Sequence, residues 1–73
     1  MAAPAMRSVY SSHIDAIGYD AESGEFFVRY KSGKTSVFGD VTPEEAADIN
    51  GSASIGQAVH RVLRGKKSHG YLA

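Results

Sequence analysis

Four cations, Arg61, Arg64, Lys66 and Lys67, crowd the end of the chain, and His60 and Gln57 stand on the same stretch. Chemistry that uses such a set is recognition of phosphate: positive charge placed to follow a backbone, ideally beside a planar side chain on which a base can stack. At 100° per residue, Gln57, His60, Arg61 and Arg64 fall on one stripe of a helix, while Ile55, Ala58, Val59, Val62 and Leu63 fall on the opposite one. One side is core and the other is a basic ridge. A second basic set, Arg29 and Lys31 with the aromatic Phe27, alternates along a strand-like run and shares one face of it. These eight polar residues, Gln57, His60, Arg61, Arg64, Lys66, Lys67, Arg29 and Lys31, are the candidate contacts to RNA or other nucleic acid. The plainer account of a basic helix face is solubility together with complementation of the helix's own C-terminal dipole.

Recognisable motifs for covalent or metal chemistry are missing, and a Ser-His-Asp set drawn from these residues would need geometry to support it. The chain has no cysteine, no G-x-S-x-G and no phosphate-binding P-loop, and His13, His60 and His69 have no metal-ligand spacing. The expectation is a protein without catalysis, cofactor, metal or small-molecule substrate.

Eight acidic and eight basic residues cancel overall, yet they are segregated. Residues 36–50 carry only Asp40, Glu44, Glu45 and Asp48 as charges, and everything from residue 51 onward carries only Arg61, Arg64, Lys66 and Lys67. Two such blocks attract each other within the fold or across a homodimer, or leave the basic block to an anionic partner. A protein-binding or self-associating module is therefore the alternative to nucleic-acid contact, and exposed Phe27 opposite Val37 on an edge strand is its expected surface. No apolar run approaches the ~20 residues that span a bilayer, and the first residues lack the pattern of a signal peptide. The expected location is cytoplasmic.

The elements that must position these groups are short. In 73 residues one domain is expected, burying only about 60% of the surface its unfolded chain exposes. Residues 1–10 form a small, Ala-rich arm to which no structure is assigned, residues 11–65 form the domain, and residues 66–73 form a basic tail. A first strand over 13–20 has Ile14 and Ile17 three apart, which an ideal strand puts on opposite faces, so a bulge or late start is expected, with Gly18 to accommodate it. Asp20 to Gly24 is a hairpin loop. The strand over 25–31 alternates, with Phe26, Val28 and Tyr30 inward and Phe27, Arg29 and Lys31 outward. A three-residue turn with Gly33 left-handed pairs Tyr30 with Lys34, Val28 with Ser36 and Phe26 with Phe38. It avoids setting Lys31 against Lys34, which a two-residue turn would do.

After a third strand over 34–39, Val41-Thr42-Pro43-Glu44-Glu45 reads as a helix start: Thr42 caps, Pro43 takes the first turn and Glu45 returns the cap. That helix ends at Asn50-Gly51. The second is expected over 54–64, with Ser54 and Gln57 as a capping box and Gly65 as a left-handed stop. The fold class is α+β, a three-stranded antiparallel meander followed by two short helices on one face of the sheet.

The succession Ser12, Ile14, Ile17-Gly18-Tyr19-Asp20, then Phe26, Val28, Tyr30 with Ser32-Gly33, then Phe38, Val41, Pro43, and finally Ala53-Ser54 with Gly56, resembles the KTSC domain. That family is named for its occurrence at the C-terminus of some lysyl-tRNA synthetases and is also found alone in bacterial and phage proteins. The resemblance runs from about residue 11 to 64 and implies the fold and an RNA context, with no catalytic motif. The chain differs from the family pattern at Ser36, and at Ala58 and Val59, where the family tends to be aromatic.

Overall fold

The computed structural model of the protein describes residues 6–66 and the backbone of residues 68–72. Its elements run β1 (Arg7–Ser8), β2 (Ile14–Asp20), β3 (Glu25–Tyr30), β4 (Thr35–Phe38), α1 (Pro43–Asn50), α2 (Ile55–Leu63) and β5 (Ser68–Leu72). The five strands lie in one antiparallel sheet in the order β1-β2-β3-β4-β5. The expected meander is its centre, and the sheet has five strands rather than three. The bare edges of a three-stranded meander carry unpaired backbone groups. Arg7–Ser8 takes one edge, opposite Ile17 and Ala16, and residues 68–72 take the other, along β4. Two segments that the sequence put outside the domain, in the arm and in the tail, thus belong to the sheet.

The turns form as their residues require. Gly24 adopts φ +74 and donates its N–H to the Asp20 carbonyl at 2.8 Å, while Asp20 Oδ1 accepts the Glu22 N–H. Gly33 adopts φ +97, and Tyr30 and Lys34 are joined by a 2.8 Å backbone bond. Phe26 therefore pairs with Phe38 and Val28 with Ser36, the three-residue-turn register.

On β2, Ile14 faces Tyr30 and Ala16 faces Arg29, so two steps on this strand match one on its neighbour. The extra residue is Asp15, three positions before Gly18, and the bulge brings both Ile14 and Ile17 into the core. There they meet Phe26, Val28, Val41, Ala46 and Ile49, with Ile55, Ala58, Val59 and Leu63 closing the layer from α2. Tyr19, directly opposite Phe26 at 6.1 Å between ring centroids, donates its hydroxyl to the Val41 carbonyl at 2.6 Å and so ties the sheet to the start of α1.

Both helices sit on the face that Phe26 and Val28 share. α1 begins with the expected reciprocal cap, Glu45 N–H to Thr42 Oγ1 at 3.2 Å and Thr42 N–H to Glu45 Oε1 at 3.0 Å. α2 departs from expectation at both ends. Ser54 occupies the cap position without a side-chain cap bond, and its own N–H, which the Gln57 amide would take in a capping box, is donated to Ser52 Oγ at 3.2 Å instead. Gly65 is not left-handed either; the last turn tightens instead, with Lys66 N–H bonded to the Leu63 carbonyl at 2.9 Å. Gly51 likewise ends α1 with right-handed φ −89.

These conformations separate two glycines. Gly33→Ala should lower stability by about 1 kcal/mol, since its backbone is left-handed. Gly65→Ala, whose new methyl meets nothing within 4 Å, should be neutral or stabilising by up to about 1 kcal/mol through the unfolded chain. Urea unfolding of the two variants measures the contrast, and a loss of stability in Gly65→Ala would contradict the right-handed ending of α2.

Candidate functional site

Gln57, His60, Arg61 and Arg64 do form an exposed ridge on α2. Much of its charge is answered from inside the fold. Arg61 Nη2 lies 3.1 Å from Asp48 Oδ2, an ion pair more than half open to solvent and therefore weak in energy. Lys66 is held more closely: its ammonium lies 2.8 Å from Glu45 Oε1 and donates to the Asp40 carbonyl at 2.8 Å, with 22% and 33% exposure for the two side chains. Asp40 is left-handed, φ +58, a conformation that Asp tolerates better than most residues and that presents its carbonyl to Lys66. One ammonium thus joins the end of α2, the β4–α1 loop and the capping carboxylate of α1. The Lys66 hydrogen bond, and after it the Thr42 N–H, hold the Glu45 carboxyl below its ordinary value.

The second basic set is elsewhere. Because the helices cover the Phe26 and Val28 side of β3, Arg29 stands on the other face, where its Nε meets Asp15 Oδ2 at 3.0 Å. Lys31 follows in the exposed turn with its N–H on the His13 carbonyl at 2.9 Å. The two patches are on opposite sides of the sheet and do not make one surface. Lys67 lies outside the described residues.

The expected interaction surface is not exposed. Phe27 and Val37 do pair across β3 and β4, but they are only 4% and 5% accessible. The expected free edge is also absent, since β5 pairs along β4, and Phe27 lies between Gly18 on β2 and Val37 on β4. With Ala16, also buried, they form a small apolar group outside the main core cluster.

What the structure assembles instead is a surface cleft of ≈ 360 Å³ where α2 meets the open end of the sheet. From α2 come Gly56, Val59, His60, Leu63 and Arg64; from the sheet side come His13, Ile14, Tyr30 and Phe38. The floor is apolar and continuous with the core, to which Ile14, Val59 and Leu63 belong and against which Tyr30 and Phe38 pack. The rim is polar. His60 and Arg64, four apart, rise from one side of the helix, and His13 precedes the Ile14–Tyr30 pair on the facing wall. Helix and sheet approach closely here: a Cβ on Gly56 would stand 3.3 Å from Ser11 Oγ, itself the acceptor for the N–H groups of His13 and Ile14. Gly56 is therefore a close-packing glycine that lets the loop before β2 sit against the first turn of α2. Arg64 is the ridge cation that meets no carboxylate among the described residues.

Ridge residues His60 and Arg64 are thus part of a site whose other half, His13, Tyr30 and Phe38, the sequence reading had not joined to them. The available signal was Tyr30, the last inward residue before the Ser32-Gly33 turn. An inward aromatic at a strand end has a neighbour on one side only and leaves a face for something else. Among the described residues, no cluster of three or more His, Asp or Glu could hold a metal ion, and no helix is long and apolar enough to cross a membrane.

Comparison with known proteins places the fold. The family model described as the KTSC domain matches residues 10–66. The crystal structure of a KTSC domain protein from Yersinia pestis superposes with a TM-score of 0.83 at 21% identity, covering 89% of this chain and 93% of that one. No curated protein matches the sequence.

Glu45 gives the site's framework a pH dependence whose sign is fixed. A carboxyl held below its ordinary value of 4.5 contributes stability that is complete above that value and is lost as pH falls through the folded-state pKa. The stability gap between the wild type and Glu45→Gln should be constant at neutral pH and shrink on acidification below 4.5. Chemical unfolding along a pH series reads it directly; a gap that widened in acid would refute the Lys66–Glu45 linkage.

Proposed function

The chain belongs to the KTSC domain family, and from that premise we propose that it is a non-catalytic binding module which contacts single-stranded nucleic acid at the α2 cleft. The observation that supports this reading is the division among the ridge cations. Arg61 and Lys66 are engaged by Asp48 and Glu45, whereas Arg64 stands at the mouth of a cleft containing Tyr30 and Phe38. A guanidinium offers five donors in a plane to phosphate oxygens, an aromatic ring offers a face to a base of any kind, and the two imidazoles of His13 and His60 add donors beside them. The basic helix face remains the binding element, narrowed to the half of it that borders the cleft.

The alternative of a protein-binding or homodimeric module had rested on an open Phe27–Val37 surface and on complementary charge blocks, and both residues are buried while Arg61 and Lys66 meet Asp48 and Glu45 within the chain. Binding at the cleft beside Arg64, without catalysis, is therefore the function proposed.

Fluorescence anisotropy with a labelled ten-nucleotide oligouridylate and with tRNA tests the reading. Affinity should fall as salt rises. Arg64→Ala should weaken binding about tenfold or more, as loss of a charged hydrogen bond does, while Arg61→Ala should change it less than about twofold, in keeping with an exposed pair already satisfied by Asp48. A wild type with no salt-sensitive affinity, or equal losses from the two substitutions, would sink the proposal.

A further inference from the structure

Resting on the nucleic-acid reading above, we infer that the α2 cleft grips one nucleotide, splayed from its neighbours, instead of tracking a strand. Two independent observations carry this. The first is size. At ≈ 360 Å³ the cleft lies near the lower end of the about 300–1,000 Å³ of small-ligand sites, room for a single base with its phosphate and not for a run of stacked residues.

The second is the charge around it. A groove that follows a backbone needs a succession of available cations, and here the succession is interrupted. Along α2 and beyond it, Arg61 is paired with Asp48 and Lys66 with Glu45, so carboxylates flank the path on the α1 side. On the sheet, Arg29 is paired with Asp15 on the opposite face, and Lys31 stands alone in the exposed turn after β3, so no row of cations continues from Arg64 there either. A strand leaving the cleft toward α1 would meet the Arg61–Asp48 pair, with no net charge to offer, and then Glu44, exposed and repulsive to phosphate. Arg64 with His60 and His13 offers one anion position, and Tyr30, in the lining beside the apolar Ile14, Val59 and Leu63, offers one stacking position. That is a site for one nucleobase and one phosphate, as presented by a chain end, a bulge or an unstacked loop residue.

The experiment compares chain lengths. Titrations of the isotopically labelled full chain with uridine 5′-monophosphate, a ten-nucleotide oligouridylate and phenyl phosphate are followed by amide shifts, with Tyr30→Ala and Arg64→Ala alongside and their folding checked by the same spectra. The mononucleotide should shift the amides around His13, Tyr30 and Arg64. The oligonucleotide should bind no tighter than its larger number of positions accounts for, and log affinity against log salt should slope about −0.7, the value for one phosphate on a single strand. Tyr30→Ala should weaken the mononucleotide about fivefold or more through lost stacking.

An oligonucleotide that binds with a slope for three or more phosphates while the mononucleotide leaves the cleft unshifted would overturn the one-nucleotide grip and leave the nucleic-acid reading standing. No shift with either nucleotide ligand would overturn both. Phenyl phosphate binding as tightly as the mononucleotide would assign the cleft to small aryl phosphates and overturn the inference.

Discussion

The bulge at Asp15 is the constraint on which the rest of this small domain depends. Without it, Ile14 and Ile17 would point to opposite faces of the sheet, and the helices would lose one of the two isoleucines beneath them. With it, both are nearly inaccessible, at 3% and 1%, and each buried side chain of that size contributes roughly 1.5–3 kcal/mol. In a chain whose net stability is expected to be only a few kcal/mol, that is a large share. The same displacement turns Asp15 outward to meet Arg29 and brings His13 to the wall of the cleft. Core, outer-face ion pair and cleft wall are three consequences of one extra residue.

A second constraint is the ammonium of Lys66. It bonds a carbonyl that a left-handed Asp40 presents and a carboxylate already committed to capping α1. Glu45 therefore serves two partners with one group, satisfying the Thr42 N–H at the start of α1 and the cation at the end of α2. Segregation of charge along the sequence is in this sense structural: much of the acidic block exists to hold the basic block. The consequence for function is subtractive. What remains to meet an outside anion is the part of the ridge that α1 does not reach.

The helices' inner stripe, the turns, the register of β3 on β4 and the capping box of α1 were legible in the sequence because each is decided locally. Gly33 and the repulsion of Lys31 from Lys34 are enough to choose a turn, and Thr42, Pro43 and Glu45 are enough to start a helix. The outer strands were not legible, since Arg7–Ser8 has no period to detect and residues 68–72 contain a glycine and little alternation; they are strands because an edge awaits them. Gln57 misled for a related reason. It has the spacing of a capping partner, but Ser52, outside the motif, competes for the same N–H and holds it.

The burial of Phe27 and the partial exposure of Tyr30 distinguish the two faces of β3. Alternation alone put Phe27 on a wet face, which holds for a sheet open on one side with free edges. β4 has β5 as a neighbour, and Val37 and Phe27 are both buried, so the outer face they share is not the docking surface expected of it. Over the helix-covered face the opposite happens at Tyr30. α2 covers β3 along Phe26 and Val28, and Tyr30, one step further, is left half-buried where His13 and Arg64 converge. A helix of nine residues spans about 13 Å, whereas β3 with its turn reaches further, so a short helix on a longer hairpin must leave an uncovered end. The cleft is that uncovered end, and its aromatic floor and cationic rim are what the sequence happens to place there.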